Sequence, residues 1–197
     1  MPNPEVIVIG AGAAGIGAGL ELTARGVPHL ILEAANRVGG RAHTDKTSLP
    51  YAWDRGCHWL HCADQNPLVA WADRLGAKIS REVWQDYLMI WLGRGWVSEA
   101  EADDADQALD QAYEAIDAAA EAGDDRSLAA IIAEAPPSRW ARQIHGVMQL
   151  LHSEDPDRVS VISAADYAET DLNWPVLSGY GDLIERMAAG LEVRLST

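Results

Sequence analysis

Val6-Ile7-Val8-Ile9-Gly10-Ala11-Gly12-Ala13-Ala14-Gly15, with the residues up to Glu33 behind it, is the stretch whose reading decides the fold. Four consecutive apolar residues, Val6 to Ile9, have the composition of a strand buried on both faces of a parallel sheet. Gly10, Gly12 and Gly15 follow without a gap as G-x-G-x-x-G. Ile16 to Arg25, rich in Ala and Leu, reads as a helix closed by Gly26. A second strand runs from Val27 to Leu32 and ends on Glu33, 18 residues past the last glycine. Strand, glycines, helix, strand and acid make one βαβ unit in the context a dinucleotide fingerprint requires.

Each of these residues has a separate task. Gly10 permits the turn out of the strand, Gly12 keeps a Cβ away from a pyrophosphate, and Gly15 lets the helix lie close on the sheet. The helix N-terminus offers N–H donors and a partial positive charge to phosphates. Glu33 accepts from ribose hydroxyls, which disfavours a 2′-phosphate there. Gly17 and Gly19 continue a small-residue face for close helix–sheet packing. A Gly/Ala-rich turn without a ligand is the bland alternative, and the complete βαβ context outweighs it.

The next residues, Glu33-Ala34-Ala35-Asn36-Arg37-Val38-Gly39-Gly40-Arg41, read E-A-x-x-R-x-G-G-R. This run resembles the flavin-containing amine oxidase family, which includes monoamine, polyamine and L-amino-acid oxidases. Phytoene desaturases and protoporphyrinogen oxidases are more distant relatives. The resemblance implies FAD rather than NAD. It implies that Gly39 and Gly40 bring backbone close to the flavin and that Arg41 pairs with the pyrophosphate, to which a guanidinium fork is suited. Members often carry a further arginine two residues after the acid; this chain has Ala35 there.

Asp54-Arg55-Gly56-Cys57-His58-Trp59-Leu60-His61 resembles the family's D-x-G-x-x-W-x-H segment, which passes beside the isoalloxazine ring. With it, the cofactor-binding set implied by the resemblance is Gly10, Gly12, Ala13, Ala14, Gly15, Glu33, Ala34, Gly39, Gly40, Arg41, Gly56, Cys57, His58 and Trp59. No residue is named as the catalytic acid or base; His58 and Trp59 are the residues expected to line the site. Cys57, His58, His61 and Cys62 invite a zinc reading. Four ligands within six residues do not match structural zinc spacing, which joins two separated pairs, so no metal is expected. Either histidine is suited to proton transfer near neutral pH, and a histidine satisfied by backbone hydrogen bonds is the commoner outcome.

Further along, Asn66-Pro67 opens a helix that Gly76 ends, with Leu68, Trp71, Ala72 and Leu75 facing a core. Tyr87 to Leu92, Gly93-Arg94-Gly95 and Trp96-Val97 read as a β-hairpin. Trp84, Tyr87, Trp91 and Trp96 are expected mostly in a core, with one or two at a pocket. Ser98-Glu99-Ala100-Glu101 is a capping box opening an acidic helix. Its apolar face is Leu109, Tyr113, Ile116 and Ala120, and its carboxylates are solvated. Ser127 to Ala135 and Arg139 to Leu151 read as two more helices, the latter with Ile144, Val147, Met148 and Leu151 apolar. Ser178-Gly179-Tyr180 resembles the family's G-G-Y motif with serine for the first glycine. A helix over Asp182 to Ala189 and a strand from Leu191 to Leu195 follow.

Composition removes several functions. With 30 acids against 15 bases the net charge is −15, so no basic stripe exists for nucleic acid. That acidity serves solubility first and attraction of a cationic amine second. Residues 6–20 break into strand plus helix, so no membrane span is expected. The strand opens at Glu5 or Val6, leaving no room for a signal sequence, and two cysteines do not make a disulfide scaffold. These features lead to the expectation of a cytoplasmic protein.

The expected fold is α/β: a Rossmann-like FAD-binding βαβ domain over residues 1–77, a partial, mainly helical substrate domain over 78–175, and a return segment, 176–197, toward the FAD domain. The resemblance covers the first part of a typical member. It leaves out the valine-led adenine strand, a lysine near flavin N5 and the C-terminal segment over the flavin. A second polypeptide supplying that remainder, a homo-oligomer or weak FAD retention is expected. The function implied is amine oxidation by hydride transfer to flavin N5, acting on a small-molecule amine substrate. An FAD-binding subunit without turnover and a flavin desaturase or protoporphyrinogen oxidase-like enzyme are the alternatives.

Overall fold

A computed structural model describes residues 3–82, 90–167, 169–170 and 172–197. In chain order, β1 (Val6–Ile9) leads into α1 (Ala13–Ala24) and then β2 (His29–Leu32). Short strands β3 (Thr44–Asp45), β4 (Trp53–Asp54) and β5 (Trp59–Leu60) precede α2 (Pro67–Leu75). Helices α3 (Glu99–Glu121), α4 (Leu128–Ile132), α5 (Ala141–His152) and α6 (Val161–Ala165) come next. A 3-10 turn at Pro156–Arg158 lies between the last two. The chain closes with β6 (Trp174–Pro175), α7 (Tyr180–Met187) and β7 (Val193–Arg194).

These elements form two compact units, residues 1–84 with 169–197, and residues 85–168. The first holds a parallel sheet in the order β1-β2-β7, with Ile7 opposite Leu30 and Ile31 opposite Val193. α1 supplies the long crossover that parallel neighbours need. The strand after α7 therefore returns to this sheet. Antiparallel pairs β3–β4 and β5–β6 fall between β2 and β7 in sequence. Ile16, Leu60, Ala72, Val176, Leu183, Ile184 and Met187 make its core. The second unit is helical, built around Ile116, Leu128, Trp140, Ile144, Met148 and Val161. An α/β Rossmann-like part followed by a mainly helical part is the architecture expected from the sequence.

Local chemistry explains the helix ends. Asn66 Oδ1 accepts the Leu68 N–H at 3.0 Å, Pro67 takes the first turn, and Gly76 closes α2 at φ 64°. At α3 the capping box is reciprocal: Ser98 Oγ accepts the Glu101 N–H at 3.3 Å and Glu101 Oε2 accepts the Ser98 N–H at 3.0 Å. No helix among the described residues is long and apolar enough to cross a membrane.

Several expectations need correction. β1 is covered on one face only: α1 lies on the Val8 side, while Ile7 is 56% and Ile9 88% exposed. α1 starts at Ala13 because Gly12 is its N-cap, so Ala13 and Ala14 belong to the first turn. β2 starts at His29, since the Val27 N–H closes the preceding helix on Leu22 O. Gly19 packs on Ile31, but Gly17 faces open space. The buried stripe of α3 is Ala105, Ala112 and Ile116, with Tyr113 turned outward, and Leu151 lies off the α5 core face. Trp91 and Trp96 pair across the Gly93–Gly95 turn with ring centroids 5.3 Å apart, yet both are more than half exposed rather than in a core. Trp84 and Tyr87 lie outside the described residues.

Trp140 is the largest side chain buried in the helical unit, and its Nε1–H donates to Asp104 Oδ2 at 2.7 Å. Trp140→Ala is expected to destabilise that unit by about 3–5 kcal/mol, with Trp140→Phe costing less. Urea unfolding followed by circular dichroism checks the order.

Candidate functional site

The site begins where β1 ends. The Gly10 N–H donates to Leu32 O at 2.7 Å, carrying the ladder one residue past the strand, and Gly10 then turns at φ 95°. A Cβ on Gly15 would sit 1.9 Å from Gly10 O, so only glycine lets α1 start against that turn. Gly12, the N-cap, contributes no capping side chain. The first-turn N–H groups of α1 are thus left for an external acceptor.

A second wall comes from the loop after β2. Glu33 Oε2 accepts the Ala11 N–H at 2.7 Å and Oε1 accepts the Ala35 N–H at 2.8 Å, so one carboxylate spans both loops. Those bonds, Ala35 first and Ala11 second, hold its pKa below the usual 4.5, with the charge of Arg37 adding less. Arg37 staples the glycine loop: Nη1 donates to Val38 O at 3.0 Å and Ala42 O at 3.3 Å, and Nη2 to Gly40 O at 2.8 Å. The Gly39 N–H donates to Ala11 O at 2.8 Å. A Cβ on Gly40 would come within 3.3 Å of Gly12 Cα. The two glycine motifs therefore meet backbone to backbone.

The third wall is the β3–β4 hairpin and the start of α7. A Cβ on Gly56 would lie 1.9 Å from Arg41 O, so the close approach this glycine makes within the chain is to the Arg41 carbonyl. The carboxylate of Asp54, 3% exposed, accepts from Thr44 Oγ1 at 2.6 Å, from the Tyr180 N–H at 3.0 Å and pairs with His58 Nδ1 at 3.1 Å. Gly179 gives α7 no side-chain cap, so Asp54 does that work from a distant strand. Burial pushes the Tyr180 phenol up to about 12, keeping it neutral. Burial first and the Asp54 charge second raise the Cys57 thiol.

Together these walls enclose a cleft of about 1180 Å³, lined by Gly12, Ala13, Ala14, Arg37, Gly39, Gly40, Arg41, Ala42, His43, Arg55, Gly56, Cys57 and Tyr180. The lining holds three arginines and no carboxylate, in a chain with twice as many acids as bases. Eight of the residues singled out from the sequence share it: Gly12, Ala13, Ala14, Gly39, Gly40, Arg41, Gly56 and Cys57. Gly10, Gly15 and Glu33 brace the loops behind it, and Ala34 is exposed beside Glu33. His58 and Trp59 are not in the lining; the His58 ring faces Asp54 and meets the Trp59 ring edge-on at 5.6 Å. Sequence reading missed Arg37, Ala42, His43, Arg55 and Tyr180 as lining residues. Arg37 and Tyr180 stand at fixed positions of quoted motifs and Arg55 at a variable one, so a signal existed for the first two. His61 Nδ1 lies 2.6 Å from Asn173 Oδ1, and among the described residues no cluster of His, Cys, Asp and Glu is arranged to hold a metal.

Residues 13–197 match the family described as flavin containing amine oxidoreductase. The chain belongs to that family. The probable polyamine oxidase 4 of Arabidopsis thaliana is 39% identical over 88 residues, 44% of this chain and 18% of its own length. The lysine-specific histone demethylase 2 of Homo sapiens is 34% identical over 79 residues, 40% of this chain and 10% of its own. Among solved structures, cyclohexylamine oxidase from Brevibacterium oxydans superposes with a TM-score of 0.70 at 21% identity, over 99% of this chain and 51% of its own. Putrescine oxidase bound to putrescine gives 0.68 at 23% identity, over 98% and 51%. The chain thus spans about half the length of these solved structures and less of the curated relatives.

FAD is the cofactor of this family, and the residues fit it. An uncapped helix start, bare backbone at Gly12 and Gly40 and a cationic, carboxylate-free lining suit a dinucleotide diphosphate.

Gly12 and Gly15 separate binding from folding. A Cβ on Gly12 has its nearest neighbour at 4.0 Å and φ is −77°, so Gly12→Ala is expected to fold normally. It should weaken FAD binding by about tenfold or more. Gly15→Ala is expected to fail at folding itself. Thermal melts and flavin fluorescence titrations distinguish the two. For Glu33, whose folded pKa lies below its unfolded one, the stability it contributes is present above pH 4.5 and lost as pH falls through the lowered value. The melting-temperature gap between wild type and Glu33→Gln should therefore narrow on acidification.

Proposed function

We propose that this chain forms the cofactor-holding half of an FAD-dependent amine oxidase acting on a small amine. The observation that carries this reading is the backbone contact of the two glycine motifs at the open start of α1. When bound, FAD supplies the oxidant, accepting a hydride at N5 from the carbon beside the amine nitrogen and passing the electrons on to oxygen.

The chain's own residues bind and orient. Glu33 is the acceptor for ribose hydroxyls, having lone pairs beyond those given to Ala11 and Ala35. The first-turn amides of α1 and the Arg41 guanidinium take the diphosphate, while Arg37 keeps the Gly39–Gly40 backbone in place. Gly56, Cys57 and neutral Tyr180 form the wall toward the flavin end. We assign the unit of residues 1–84 with 169–197 to the FAD domain and the helical unit of residues 85–168 to part of a substrate domain. The remaining half of the family fold, whether a further stretch of the same polypeptide or a second one, completes the site. A second reading, an FAD-binding subunit with no turnover of its own, is supported by His58 and Trp59, the residues expected to line the site, standing outside the cleft lining.

These residues alone are expected to take up FAD and to release peroxide from amines only when the complementing half of the fold is present, in the same polypeptide or added as a second one. FAD uptake with no peroxide from any amine, with or without that half, would favour the binding subunit. A well-folded preparation that ignores FAD but takes up NADH would sink both.

A further inference from the structure

Arg55 occupies the variable position of the D-x-G run, between the Asp54 hub and Gly56. Its backbone belongs to the same patch as Arg41: the Arg55 N–H donates to His43 O at 2.8 Å, and the Cys57 N–H to Arg41 O at 3.4 Å. Both residues line the cleft. Arg37, the third arginine there, already donates to three loop carbonyls. A dinucleotide diphosphate brings two negative charges into this space, and Asp45, the carboxylate beside Arg55, stands outside the lining.

Arg55 has two loose neighbours. Its Nη1 lies 3.8 Å from Asp45 Oδ2, and its guanidinium sits 5.9 Å from the centre of the Trp53 ring. Asp45 Oδ1 is occupied by the Thr47 and Ser48 N–H groups at 2.8 and 2.9 Å, which leaves Oδ2 toward the arginine. A side chain more than half exposed gains little stability from a pair at that distance. The arrangement leaves most of the Arg55 donors unused.

We propose that Arg55 is a second phosphate-binding residue of the cofactor cleft, acting beside Arg41 on the diphosphate of FAD. This rests on the reading of the cleft as an FAD site.

The test is fluorescence titration of the full chain with FAD and with riboflavin, which carries the same ring system and no phosphate, at low and high salt. Arg55→Leu is expected to weaken FAD binding about 10-fold to 100-fold at low salt. It should also make the remaining affinity less dependent on salt and leave the weak riboflavin binding unchanged. Arg55→Lys should fall between, because it keeps the charge and loses the fork. An Arg55→Leu chain that binds FAD as tightly as wild type, while Arg41→Leu does not, would overturn the inference and leave the FAD reading intact. Equal losses of FAD and riboflavin would also overturn it, by showing a general disturbance of the wall. A wild-type chain that binds no FAD would instead remove the reading beneath it.

Discussion

Everything at this site depends on the absence of two side chains. Gly40 lets the loop after β2 touch the turn after β1 through bare backbone, Gly15 lets α1 start against that turn, and Glu33 bridges the amides of Ala11 and Ala35 across the join. Backbone groups have fixed spacing and no rotamers, so a cradle made from them is pre-organised without side-chain ordering cost. The carboxylate adds direction, since each of its oxygens already holds one loop. Arg37 completes the frame by collecting three carbonyls that would otherwise point unpaired from a tight loop.

The second organising element is Asp54. One buried carboxylate gathers Thr44, His58 and the start of α7, and so sets where Tyr180 meets the cleft. A helix whose own N-cap is glycine has no local means of satisfying its first amides. Supplying that cap from a strand more than a hundred residues earlier ties the return segment to the first motif. The β3–β4 hairpin and the start of α7 are thereby joined through one carboxylate.

Much of this was legible in the sequence. The βαβ order, the α2 and α3 caps and the glycine loop all follow from local rules: a proline after a capping asparagine, a reciprocal Ser–Glu box, glycines where a Cβ has no room. What stayed hidden was tertiary. An apolar run such as Val6 to Ile9 states that a strand is hydrophobic, but not how many of its faces a given chain covers. The helical period of α3 tolerates a small rotation, which moved the buried stripe from Tyr113 to Ala112. The cap that Asp54 lends to α7 has no sequence signal because its partners are far apart. Arg55 was passed over for a similar reason: its position in the motif is variable, and only the cleft reveals which way it counts.

Ile9 carries a consequence of its own. The side chain most open to water in β1 directly precedes Gly10, the hinge on which the nucleotide turn is built. A strand bare on one face frays more readily than one sandwiched between layers, and its fraying reaches the cradle within a single peptide bond. Whatever shields that hydrocarbon from solvent also stiffens the grip on the ligand. Occupancy of the cleft and coverage of the sheet are in this way two ends of one thermodynamic linkage.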